Sequence, residues 1–206
     1  MQRFMHALKA EQRYLGIAIL VFVVSAVSGY VNGEGIFKTL KEMGVLDSLE
    51  EVVRSISQNP SFFHIFTTLF VNNITASFSM IGMGLFFGIV PFMSMLTNGM
   101  LLGATLMTAA EKTGTNPLVI FVTTILPHGV LELPAAILAA AFGMRLGVAA
   151  IRRIIALFVP RLHESSVEEW RGIRTRLPVV LVGVTVLILV AAVIETSLIL
   201  YLKPQS

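Results

Sequence analysis

Five long apolar stretches, separated by short polar or charged segments, constrain this chain more than any other feature. About 20 apolar residues are enough for a helix to cross the hydrocarbon core of a bilayer. Inside that core every backbone N–H and C=O must find a partner within the protein, which leaves only helices and closed barrels. The strict alternation of a membrane strand is absent. The fold class is therefore all-α: a polytopic membrane helix bundle, read as a single domain over residues 1–206. The spans fall at about 14–31, 62–90, 93–110, 117–142 and 177–202.

Composition supports this class. The chain is 55% hydrophobic and 13% charged, whereas a soluble domain is about 25% charged. There is no cysteine, so disulfides and thiolate metal sites are excluded. The basic residues are not interleaved with a base-stacking surface and there is no Gly-rich phosphate loop, so no nucleic-acid partner is expected. Arg3, Lys9 and Arg13 precede the first apolar run, and Ala26-Val27-Ser28 resembles a signal-peptide cleavage site. The length of the run and the four spans behind it favour a retained helix.

Lysine and arginine set the expected orientation. Arg3, Lys9 and Arg13 lie before the first span, and Arg145, Arg152, Arg153, Arg161, Arg171, Arg174 and Arg176 lie between the fourth and fifth. Five spans put these regions on one side, the cytoplasm, with the carboxyl terminus outside. The outer loop 32–60, the Glu111–Asn116 turn and the Lys203 tail then face outward.

Two segments read as amphipathic helices outside the spans. Phe37, Leu40, Val45, Leu49, Val52, Val53 and Ile56 recur at helical spacing within the outer loop. In the cytoplasmic segment 145–176, the part from Arg145 to Val159 sets Arg145, Arg152 and Arg153 beside Leu146, Val148, Ile151, Ile154, Ile155 and Phe158. It reads as an interfacial helix drawn to anionic membrane lipid; the competing reading is an extension of the fourth span. No internal repeat suggests an inverted-repeat transporter.

Gly84 and Gly88, Gly99 and Gly103, and Gly143 and Gly147 are paired at four-residue spacing. Such pairs remove bulk from one helix face and let backbones approach. Close packing within the bundle is the first reading for them and for Gly129, and a homodimer face is the second.

Polar residues are expensive in hydrocarbon and need partners or a role. Asn72, Asn73, Asn98, His128, Glu132 and Glu195 form this set, with Pro91, Pro127 and Pro134 as expected helix breaks. At 1.5 Å per residue, Asn72, Asn98, His128 and Glu132 come out roughly 16–22 Å from the outer end, and Glu195 roughly 7 Å. The first four would meet near the midplane, while Glu195 would sit in a separate, wetter place. Pro127 and Pro134 leave the carbonyls of Thr123 and Val130 without amide partners; Thr123, Thr124 or the asparagines would satisfy them. The cluster reads first as a polar core fixing helix register. The sharper reading is a zinc or proton site on His128 and Glu132, with His64 or Glu195 completing the ligands. No zinc-hydrolase helix motif and no serine–histidine–acid arrangement is present, so no catalytic residue and no cofactor is assigned.

Several motifs stand in order: Phe70-Val71-Asn72-Asn73, Gly88-Ile89-Val90-Pro91, Asn98-Gly99 with Gly103, the run from Pro127 through Pro134, then Gly143 and finally Ile194-Glu195-Thr196. Together they resemble the stage II sporulation protein M family over about Phe62 to Thr196. Carried over, the shared positions are Asn72, Asn73, Pro91, Asn98, Gly99, Pro127, His128, Gly129, Glu132, Pro134 and Glu195. The resemblance implies a five-to-six-helix protein of the cytoplasmic membrane of a bacterium or archaeon. It also implies a non-enzymatic anchor for cell-wall hydrolases, active in engulfment where the organism sporulates. A small-solute or ion transporter, or a metal-binding protein, built on the His128/Glu132 cluster is the competing expectation.

Overall fold

The computed structural model describes residues 2–202, apart from the side chains of Arg3, Ser48, His128 and Leu202. Its elements run in the order α1 (Gln2–Val31), α2 (Gly33–Glu42), α3 (Val45–Gln58), α4 (Phe62–Met83), α5 (Ile89–Thr113) and α6 (Pro117–Ile120). A π turn (Phe121–Ile125), α7 (Leu126–Phe158), a 3-10 turn (Pro160–Leu162) and α8 (His163–Leu202) follow. Among the described residues there is no strand, and five helices are long and apolar enough to cross a membrane. Their outward positions carry large apolar side chains, such as Leu20, Val24, Phe78, Val182 and Val190. Water would penalise that surface, whereas hydrocarbon accepts it.

The central helix is α7, which touches α1, α4, α5 and α8. Ala139, Ala140, Ala141 and Phe142 are fully buried. The alanine run is small in every direction, so several helices can close on it at once. Against this axis, α1 pairs with α5, and α4 pairs with α8.

Three boundaries differ from the sequence reading. The second span ends at Met83 rather than at residue 90, and the third starts at Ile89, ahead of Pro91. The break is the turn 84–88, where Phe87 (φ 59°) and Gly88 (φ 73°) take left-handed conformations. Pro91 therefore lies buried in the first turn of α5, where a missing N–H costs no helical bond. The first helix begins at Gln2 and lengthens the expected span toward the amino terminus.

A further difference concerns Arg145 to Val159. No separate interfacial helix forms there, because α7 continues unbroken through all 33 residues to Phe158. Gly143 and Gly147 remain helical under contact with α4 and the 84–88 turn, and no proline intervenes before Pro160. α8, 40 residues long, returns antiparallel beside it. At roughly 60 Å it is about twice the hydrocarbon thickness, so the α7–α8 hairpin extends past the bilayer at its arginine-rich end.

At the other end α2 and α3 form the expected amphipathic cap. Leu40 is buried, and Val52 and Ile56 pack on Ile65 and Leu69 of α4. His64 contacts the Ser55 hydroxyl and carbonyl, both at 3.1 Å, which ties α3 to the start of α4. The Lys203 tail lies outside the described residues.

Candidate functional site

The expected breaks at Pro127 and Pro134 act differently from each other. Pro127 has no N–H, and just upstream the helix widens into the π turn, where Leu126 N–H donates to the carbonyl of Phe121, five residues back. The Thr123 hydroxyl donates back to Val119 at 2.7 Å, so it does not supply the loosened backbone downstream. Pro134 stays inside α7 without ending it. A π turn re-phases the face of the helix that follows it.

That face carries Glu132. The Asn73 side-chain amide of α4 donates to the Glu132 carboxylate, and Asn72 Nδ2 lies 3.4 Å from Asn73 Oδ1. On the other flank the Glu195 carboxyl of α8 hydrogen-bonds with Glu132. This corrects the expectation that Glu195 sits apart. Counting 1.5 Å per residue from each helix end assumes that all ends lie at one level, and the contact shows that those of the fourth and fifth spans do not.

Asn72, Asn73, Asn98 and Glu132 line one cavity of about 400 Å³ between α4, α5 and α7. Ser77, Met80 and Met95 complete its inner wall, and Leu49 of α3 reaches its rim. Cavity and cluster follow from one arrangement: α4 and α5 join at the 84–88 turn, then diverge toward different neighbours, α8 and α1.

Of the expected zinc set, Glu132 and Glu195 come together and His64 does not join them. His64 is held by Ser55 in the cap, away from Glu132. Among the described residues no group of three or more metal-ligating side chains converges. The His128 side chain lies outside the described residues. Among the described residues the cluster offers two carboxyl groups and amides, which can hold a proton or a hard cation.

The paired glycines lie at helix contacts. A Cβ on Gly84 would meet Gly143 Cα at 2.5 Å, one on Gly143 would meet Pro91 Cγ at 3.0 Å, and one on Gly147 would meet Gly88 Cα at 2.5 Å. A Cβ on Gly88 would meet Met144 Cα at 3.1 Å. A Cβ on Gly99 would meet Ala26 N at 3.1 Å, and one on Gly103 would meet Tyr30 N at 2.6 Å. These faces are filled within the chain, so a dimer would need another surface. Gly129 is the exception: its nearest neighbour is Leu133 of its own helix at 3.2 Å, so it does not serve a helix contact. Gly29 does: a Cβ there would meet Met100 Cα at 2.8 Å. It stands four residues before Gly33, the spacing of the other pairs, but the end of the span at Val31 falls between the two.

A second polar centre lies at the arginine-rich end. The Glu11 side chain is fully buried and accepts from Arg145 Nη1 at 3.0 Å, while Arg176 Nε lies 3.3 Å away. Arg145 also donates to the Ala10 carbonyl at 2.9 Å. Arg152 pairs with Glu169 at 3.4 Å. Arg145 and Arg152 thus face carboxylates. In the sequence, Glu11 lies among Arg3, Lys9 and Arg13 and looks like part of a solvated tail.

Fold and cluster define a class: an integral membrane protein of five apolar helices with a half-buried amide–carboxylate cluster, in which Asn72 and Asn98 stay exposed. Within that class the chain belongs to the family described as Stage II sporulation protein M, which it matches over residues 18–198. No curated protein and no solved structure matches it.

Proposed function

We propose that this protein is a non-enzymatic anchor of a prokaryotic cytoplasmic membrane that recruits envelope or cell-wall-remodelling proteins, with an engulfment role where the organism sporulates. The observation that carries this reading is the α2–α3 cap. Val52 and Ile56 are held on the bundle, while Asp47, Glu50, Glu51, Arg54 and Val53 are exposed at the end opposite the arginine-rich hairpin. A fixed surface of mixed acidic and apolar character suits a protein partner. Family membership supports the same reading. The arginine-rich end and the amino terminus face the cytoplasm, and the cap faces outward. In this reading the partner does the peptidoglycan chemistry.

Co-purification from native membranes tests it. Wild-type protein is expected to retain an envelope or cell-wall protein, and Glu50→Lys with Glu51→Lys to lose it while the bundle stays folded. If neither protein retains an envelope partner, the anchor reading fails.

The cavity lined by Asn72, Asn73, Asn98 and Glu132 favours a second reading, a proton- or cation-linked transporter. Its signature would be flux through reconstituted vesicles that Glu132→Gln abolishes.

A further inference from the structure

Two grooves follow one another along one face of α8. The first, about 480 Å³, is lined by Arg153 of α7 with Val167, Trp170, Arg171, Arg174 and Thr175 of α8. The second, about 510 Å³, is lined by Phe4, Pro178, Val182, Gly183 and Val186 among others. Arg171, Arg174, Pro178, Val182 and Val186 succeed one another at three- or four-residue steps. That spacing keeps them on one helix face.

The first groove is basic and unbalanced. No carboxylate lines it, and Arg153 Nη1 is buried without a hydrogen-bond partner. Among the described residues, none of Arg153, Arg171 and Arg174 makes an ion pair, in contrast to Arg145 and Arg152. A buried guanidinium N–H without an acceptor is a rare and costly arrangement. Guanidinium forks match the oxygens of a phosphate. Trp170 is the side-chain type that collects at the membrane–water boundary.

The second groove is apolar and open, with Val182 63% and Val186 53% exposed. Gly183 gives it depth, since a Cβ there would run into the Phe4 ring. From Pro178 to Val186 it extends roughly 12 Å along the helix. One leaflet supplies roughly 15 Å of hydrocarbon.

We propose that this face of α8 binds one anionic phospholipid from the leaflet at the arginine-rich end. Arg153, Arg171 and Arg174 hold the phosphate, and an acyl chain lies along the groove from Pro178 to Val186. A soluble phosphate would use the first groove alone; its continuation into an apolar channel of leaflet depth selects the lipid.

Native mass spectrometry of the full chain in detergent tests this, with phosphatidylglycerol and phosphatidylcholine of identical chains as probes. Wild-type protein is expected to retain phosphatidylglycerol at least tenfold better. The exposed pair Arg171→Gln and Arg174→Gln should reduce that retention by roughly fivefold for each arginine. Val182→Asn, on the exposed wall of the apolar groove, should reduce it as well, and millimolar glycerol 3-phosphate should not displace the lipid. Equal retention of both lipids by the wild type, or wild-type retention in the arginine pair or in Val182→Asn, overturns the proposal. Displacement by glycerol 3-phosphate also overturns it and marks a soluble phosphate site instead.

Discussion

Glu132 of α7 and Glu195 of α8, both half-buried, meet carboxyl to carboxyl between their helices, and the Asn73 amide reaches the same Glu132 from α4. A hydrogen bond between two carboxyl groups carries one proton, so a neutral amide at either position reproduces the bond. Glu132→Gln is therefore expected to keep stability within about 1 kcal/mol of wild type. Glu132→Leu strips Asn73 and Glu195 of this partner and should cost about 1–3 kcal/mol. Thermal or denaturant unfolding in detergent reads the difference; equal stability of the two variants would show that the contact does not hold the helices.

Glu11 joins α1 to both long helices. Removing one member of a buried ion pair leaves the others uncompensated. Arg145 and Arg176 keep partial solvent access, with 14% and 25% of their side chains exposed, which lessens the cost. Glu11→Ala is expected to destabilise by about 2–4 kcal/mol. Arg152→Ala breaks an exposed pair and should cost less than about 1 kcal/mol. A double-mutant cycle on Glu11 and Arg145 checks the coupling, and additive effects would contradict it.

The glycine contacts predict a graded series. At Gly103 and Gly143 an added methyl meets the backbone of another helix, so Gly103→Val or Gly143→Val should cost at least about 2 kcal/mol or prevent a folded product. Nothing lies within 4 Å of a Cβ at Gly16 or Gly82. Gly82→Ala should be neutral or stabilising by up to about 1 kcal/mol, through helix propensity. Unfolding midpoints that do not separate the two groups would refute the packing.

Topology follows from the arginines and can be read with fusions. A reporter near Arg161 is expected to be cytoplasmic and one near Asp47 external. The reverse labelling would invert the orientation proposed for the cap and the hairpin.

Much of the fold is legible in the sequence, because apolar runs and helical spacing report burial directly. The α2–α3 cap could be read from the spacing of Leu40, Val52 and Ile56. The turn at 84–88 could not, since Phe86, Phe87, Ile89 and Val90 read as more of the same apolar run and only backbone geometry breaks it. The continuity of α7 past Phe142 was ambiguous for a related reason: arginines beside an apolar face suit both an interfacial helix and a protruding hairpin. Asn73, Asn98 and Glu132 were identifiable as costly residues, and the cavity they line brings them together. The contact of Glu132 with Glu195 was hidden by the level ends that residue counting assumes. Glu11 was missed because its partners are far along the chain and its neighbours are basic.

The most direct test of the anchor reading measures recruitment and ion flux on the same Glu132→Gln protein. The account predicts that the folded variant still co-purifies the envelope partner from native membranes, and that wild-type and variant vesicles show the same background flux. Loss of a wild-type proton or cation flux in the variant, with recruitment absent from both proteins, would contradict it and establish the transporter.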